Sequence, residues 1–228
     1  MFDFRFYEIW RSEEYINTLL MGIFNSFWLT IFGAMLGFLL GTLLAVLQEK
    51  SIFIGFRIAS RSYVELIRNT PFVVQMFFVA FGLPTLLDLQ WSFYVSALLA
   101  IMLNFSAYFA EIIRSGIDSI PKGQIEAASS LGINKFQTFI YIILPQAIEK
   151  VYPSLVSQFI FLFLTTGLIS EIGVEDITWA GRFISDRNFR DFEVYLLLSV
   201  IYILMAWFFR LSLNYAFKIA FPWSRNNE

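Results

Sequence analysis

The chain has 228 residues, of which 58% are hydrophobic, 19% aromatic and 15% charged, with a formal net charge of −2 and a mean hydropathy of +0.67. Soluble domains carry about 25% charged residues, so this composition excludes a water-soluble globular protein, and the near-neutral charge predicts no nucleic-acid partner. The lack of Cys and His excludes disulfides, thiolate or imidazole catalysis and the usual zinc centres, so neither a metal nor a catalytic residue is expected.

The N-terminus, Met1-Phe2-Asp3-Phe4, has no basic leader, and the first apolar run is too long for a signal core, so no cleavable signal is expected. Residues Phe6 to Leu20 read as an interfacial helix leading into the first span. Charge-free runs then extend from Tyr15 to Gln48, Asn69 to Leu87, Leu89 to Ala110, Val151 to Ser170 and Val194 to Phe209. A span needs about 20 apolar residues; the first four runs suffice, and the fifth does so if Arg210 and Lys218 snorkel to the interface. The expected fold is an all-α membrane protein, a single domain of residues 1–228 with about five transmembrane helices. They are expected near 18–48, 63–87, 91–113, 148–171 and 193–218, with a loop over 114–147.

Within the first span, Gly22, Gly33, Gly37 and Gly41 form a small-residue stripe suited to close helix packing inside the subunit. At the start of the second, Glu65 and Arg68 are three apart and are expected to pair. Pro71 disfavours helical geometry at Thr70, so a kink or helix entry belongs there. In the third span Asn104, Ser106 and Tyr108 interrupt apolar surroundings, followed by Glu111 and Arg114. Asn104 must find a hydrogen-bond partner, in a neighbouring helix or along a translocation path.

A polar insert from Glu111 to Pro145 follows. Pro121 suits the start of a short helix of roughly 16 Å, and Gly132 suits a left-handed cap at its end. Ala127, Ala128, Ser129 and Ser130 would let another protein approach its backbone. The fourth span carries Ser157, Gln158, Thr165, Thr166, Gly167 and Ser170, then Glu171; Gln158 and Thr165 are seven apart and share a face suited to a polar path.

Charge sets the orientation. One side of a five-span arrangement holds Lys50, Arg57, Arg61, Arg68, Arg114, Lys122, Lys135, Lys150, Arg210, Lys218 and Arg225, and the other only Arg5, Arg11, Arg182, Arg187 and Arg190. The first side is therefore cytoplasmic, with the N-terminus outside and the C-terminus inside.

Three strings carry a resemblance. Glu126-Ala127-Ala128, Gly132, Ile142 and Leu144-Pro145 match EAA-x3-G-x9-I-x-LP. Tyr63 to Gln75, YVELIRNTPFVVQ, is similar to YxELxRxTPxxxQ, and FSAYFAEIIRSGIDSIPKGQ to AAYxAEIxRGGIxSIPKGQ. Together they resemble the permease subunits of ABC importers, in the branch that carries polar amino acids, over about residues 18 to 220.

The resemblance implies a type I ABC importer permease fold in the bacterial cytoplasmic membrane, with the EAA loop as a cytoplasmic coupling helix. It implies a chain with no cofactor of its own, whose partners are two ATPase subunits, a second permease subunit and an extracytoplasmic amino-acid-binding protein. Glu126, Ala127, Ala128 and Gly132 would meet the ATPase, and Gln75, Asn104, Gln158, Thr165, Thr166 and Glu171 are candidates for the substrate pathway. Where many relatives read LxKDTSL, this chain has Leu162-Phe163-Leu164-Thr165-Thr166-Gly167-Leu168. The missing Lys-Asp pair favours a heterodimer, in which the partner permease supplies charge, over a homodimer. No G-x4-G-K-[ST] string is present, so ATP hydrolysis falls to another chain. The rival reading is a channel or secondary transporter that needs no ATPase; such transporters usually carry inverted repeats and midplane ionisable residues.

Overall fold

A computed structural model describes residues 4–48 and 53–222. The expectations made for Met1 to Asp3, Lys50 and Arg225 lie outside them. The described residues form helices and connections and no strand: α1 (Tyr7–Trp10), α2 (Glu13–Leu47), α3 (Ile54–Arg68), α4 (Phe72–Leu87), α5 (Phe93–Asp118), α6 (Lys122–Ser130), α7 (Lys135–Ile172), α8 (Ile177–Asn188) and α9 (Asp191–Ala220). By length and hydropathy α2, α5, α7 and α9 can each cross a bilayer, and α3 with α4 makes a bent fifth candidate.

Several boundaries differ from the sequence reading. The interfacial helix expected over Phe6 to Leu20 is only the single turn α1; Ser12 is extended, and from Glu13 onward the chain is already the first long helix. The second span, expected over 63–87 with a kink or helix entry at Pro71, breaks at residues 69–71, and α3 and α4 meet at 109°. Pro71 forces that corner: it has φ −63° and ψ 137°, it cannot donate to a helical carbonyl, and it opens α4 as its N-cap. The loop expected over 114–147 shrinks at both ends, because α5 runs on to Asp118 and α7 already begins at Lys135.

Prolines also bend the helices internally. Both α4 and α7 contain a π-helical segment, Phe78–Gly82 and Phe139–Ile143, each immediately before a Leu-Pro pair, Leu83-Pro84 and Leu144-Pro145. A proline ring clashes with the carbonyl four residues back, and a wider turn relieves the clash. Leu83 N–H and Leu144 N–H accordingly reach back five residues, to the carbonyls of Phe78 and Phe139.

The core is the α2–α5 seam, and Gly33, Gly37 and Gly41 of the α2 stripe make it, while Gly22 meets Asp176 and Ala180 instead. A Cβ on Gly41 would lie 2.8 Å from the Phe109 Cβ, 2.8 Å from the Ser106 carbonyl and 3.0 Å from the Ala110 nitrogen, so the α5 backbone leaves it no room. At Gly37 the same atom would sit 3.5 Å from its closest neighbour, an ordinary contact. Gly41→Ala is expected to destabilise by about 1–3 kcal/mol through forced separation of two backbones, while Gly37→Ala stays near neutral. Thermal unfolding of the two variants in detergent checks this, and equal midpoints would contradict the seam.

Three helix ends gather at each side of the bundle. At one side Ala45, Ile113, Ile117, Ile143 and Ala147 pack together, uniting the end of α2, the end of α5 and the start of α7 beside α6. At the other, Leu19, Ile177, Ile184, Val194 and Leu198 unite the starts of α2, α8 and α9. Among the described residues the first side carries Arg57, Arg61, Arg68, Arg114, Lys122, Lys135, Lys150, Arg210 and Lys218.

Candidate functional site

The short helix α6 is built by its flanks. Pro121 is its N-cap. Its end is a Schellman turn: Gly132 N–H donates to the Ser129 carbonyl at 3.0 Å, Ile133 N–H donates to the Ala128 carbonyl at 3.1 Å, and Gly132 has φ +73°. Asn134 then caps α7, its side chain accepting from Gln137 N–H. Of the residues of α6 only Ala128 is buried, at 2% exposure, while Glu126, Ala127 and Gly132 face outward. Leu131 and Phe136 beside it are 79% and 73% exposed. An exposed helix with apolar neighbours is a surface prepared for a protein partner.

One polar strut ties this surface to α7, and a second ties the end of α5 to it. Gln146 Nε2 donates to Gln124 Oε1 at 2.7 Å, and Lys150 Nζ donates to the Ser119 carbonyl at 2.9 Å. A push on α6 therefore reaches the base of α7 through side chains as well as through the backbone. Sequence reasoning missed Gln124 and Gln146, since nothing in their spacing shows that α7 folds back beside α6.

Gln75 and Asn104 are brought together. Asn104, almost fully buried, donates from Nδ2 to Gln75 Oε1 at 2.8 Å. Gln75 Nε2 in turn donates to the Ile67 carbonyl at 2.7 Å, the Thr70 carbonyl at 3.1 Å and the Thr70 hydroxyl. Those carbonyls lie at the end of α3 before Pro71, where the Ile67 carbonyl also accepts from the Thr70 N–H and hydroxyl, so the pair helps to hold the corner. Above it, Tyr63 donates to the Leu103 carbonyl at 2.8 Å. The pairing expected between Glu65 and Arg68 is corrected: Arg68 meets Glu111 at 3.5 Å, and Glu111 also pairs with Arg114, because the 109° turn aims the end of α3 at α5.

The remaining pathway candidates are not gathered in one place. The Thr165 hydroxyl donates to the Phe161 carbonyl, one turn back on its own helix. Thr166 is buried and its hydroxyl is bound to the Phe163 carbonyl. Gln158 buries an Nε2 that finds no partner among the described residues. Glu171 is exposed and pairs with Arg182 of α8.

At this far side lies Asp176, which sequence reasoning did not single out. It is fully buried, caps α8 by accepting from Trp179 N–H at 2.8 Å, and leaves Oδ2 without a partner among the described residues. Burial raises its pKa from 3.8 to about 7, against the lowering effect of backbone N–H donors. A carboxyl whose folded pKa is raised keeps its proton in the folded state while the unfolded chain has lost it. Stability therefore falls as pH rises from about 4 to about 7 and levels off above. Asp176→Asn keeps an acceptor for Trp179 N–H and is expected to flatten this slope in pH-dependent thermal unfolding; an unchanged slope would count against it.

The chain matches, over residues 37–226, the family profile described as binding-protein-dependent transport system inner membrane component. The chain belongs to this family. Among similar proteins is the glutamine transport system permease protein GlnP of Escherichia coli (strain K12), 34% identical over 198 residues that cover 86% of this chain and 89% of that one. Another is the L-cystine transport system permease protein TcyL of Bacillus subtilis (strain 168), 32% identical over 209 residues and 87% of each chain. A crystal structure of an amino acid ABC transporter with histidines superposes with TM-score 0.82 at 31% identity, covering 93% of this chain and 97% of that chain. The inward-facing MetNI methionine ABC transporter, at 15% identity and TM-score 0.77, shares the fold. The chain is thus an ABC importer permease subunit with the type I fold, a multi-pass component of the inner membrane. The exposed, strutted helix α6 is the element that carries the EAA pattern.

Proposed function

We propose that this permease subunit helps carry a polar amino acid inward across the cytoplasmic membrane, driven by two ATPase subunits that dock on α6. The observation that carries the reading is the nine-residue α6 itself, outward on every side but Ala128 and strutted to α7 by Gln124 and Gln146. Glu126, Ala127 and Gly132 form the outer face, with Ala128 as its root. An extracytoplasmic binding protein delivers substrate to the opposite side, where α8 and the Glu171–Arg182 pair lie. Closure of the ATPases around ATP moves α6 and α7 as a unit, and the spans rock between inward and outward opening. The bias of basic residues to the α6 side supports a cytoplasmic C-terminus and an outer N-terminus.

Within the span, Gln158, Thr165 and Glu171 remain the pathway residues of α7, while Gln75 and Asn104 contribute by fixing the α3–α4 corner beside it. Thr166, buried against its own backbone, supports the wall from behind. Leu164 is exposed where relatives carry a charge, which favours a heterodimer with a second permease chain bearing the charged pair. Copurification from native membranes is expected to yield an ATPase with a P-loop and a second permease bearing a Lys-Asp or comparable pair. Thr165→Val should then weaken transport by no more than about tenfold, one neutral hydrogen bond being worth about 0.5–1.5 kcal/mol. A purified complex with two copies of this chain, and substrate beside both Thr165 residues, would establish a homodimer; a transporting chain without any ATPase would favour a secondary transporter.

A further inference from the structure

Helices α7 and α9 are closely packed where Phe159 and Phe163 meet Phe209. Towards the α6 side they part, and the gap is a cavity of about 950 Å³. Its inner wall is apolar, with Val156, Ile160, Ala206 and Trp207; its outer part carries Arg210, Asn214 and Lys218 from α9, with Glu149 on the facing helix. Tyr152 bridges the mouth, its ring stacked on Phe217 at 3.7 Å and its hydroxyl donating to Asn214 Oδ1 at 2.9 Å, which leaves the Asn214 Nδ2 as a donor. Neither Arg210 nor Lys218 makes a hydrogen bond or ion pair with another described residue. Both sit on α9, whose apolar face is largely exposed, with Ile203, Leu204, Trp207 and Leu211 among its exposed residues.

Cations on a membrane helix normally have a partner. Here two of them, and an amide donor, converge on a cavity that turns apolar with depth. The ligand that fits is an anion with a hydrocarbon body. We propose that the wedge between α7 and α9 binds one anionic phospholipid of the leaflet on the α6 side. Arg210 and Lys218 hold the phosphate, and an acyl chain lies along Trp207, Val156 and Ile160. Two basic groups against the one carboxylate of Glu149 leave the site net positive, and the exposed apolar face of α9, with Ile203, Leu204 and Leu211, continues it into the bilayer. The proposal rests on this wedge and not on the identity of the transported substrate.

The test is native mass spectrometry of the purified transporter complex in detergent, titrated with phosphatidylglycerol or phosphatidylcholine. The complex should retain phosphatidylglycerol selectively. Arg210→Gln with Lys218→Gln should weaken that binding by roughly 30-fold, the charge-conserving pair Arg210→Lys with Lys218→Arg should keep most of it, and Ser157→Trp should block the cavity with both charges in place. Unchanged phosphatidylglycerol binding in the double Gln variant, or equal binding of phosphatidylcholine by the wild type, overturns the site. Displacement by millimolar inorganic phosphate would show a plain anion site instead. Loss of subunit association rather than of lipid would show a protein carboxylate in the wedge.

Discussion

Replacing Glu126 by Arg is expected to abolish transport while leaving the subunit folded and the binding protein's affinity for substrate unchanged. Glu126 is exposed and makes no side-chain hydrogen bond or ion pair among the described residues, so nothing inside the subunit needs it. Reversal of its charge is felt only by whatever docks on α6. Gly132→Leu attacks the same surface differently. A Cβ there would meet no atom within 4 Å, so the penalty is the φ of +73° alone, about 1–2 kcal/mol for a left-handed residue with a side chain. That is enough to fray the last turn of a helix this short and to misplace Leu131, but not to unfold the bundle. Reconstituted vesicles give the readout, with transport and ATPase stimulation lost together and the melting temperature of the permease within a few degrees of wild type. Full stimulation in both variants would remove α6 from the coupling role.

Gln75→Leu should produce the largest loss of stability of any single polar substitution in the spans. It leaves the buried Asn104 amide without its partner, whereas the Ile67 carbonyl keeps the Thr70 N–H and hydroxyl and the Thr70 carbonyl lies on an exposed residue. One buried unpaired amide costs about 1–3 kcal/mol, and in hydrocarbon no water replaces the bond. A drop of about 1–3 kcal/mol is the expected result. Asn104→Leu in the Gln75→Leu background should recover part of it, because removal of both partners leaves fewer unpaired groups than removal of one. If the double variant is as unstable as the sum of the two singles, the pair is not coupled.

The membrane class, the number of apolar runs and the EAA segment were all legible in the chain because they depend on local composition and on spacing within one turn or loop. Gly132 shows why: its left-handed cap is a property of the residues around it, and the structure places it at φ +73°. Gly41 was legible as part of a stripe, and the stripe does face a neighbouring helix. The sequence could not say that the neighbour was α5 rather than any other apolar helix, since hydrocarbon surfaces look alike before they are packed.

What only the tertiary structure decided were contacts between segments far apart along the chain. The break at Pro71 was legible, but its size and what holds it were not: the chain turns by 109° there, and Gln75, Asn104 and Thr70 bond across the corner. Arg68 chose Glu111 over Glu65 for the same reason: a helix redirected by a right angle brings its last side chains to a different partner. Asp176 reads as an ordinary loop acid in the sequence, and becomes a fully buried cap only because the start of α2 closes over it, the Ser26 hydroxyl accepting from Ile177 N–H beside it. Local chemistry fixed the helices and their caps; burial and charge pairing, which depend on where distant segments meet, waited for the fold.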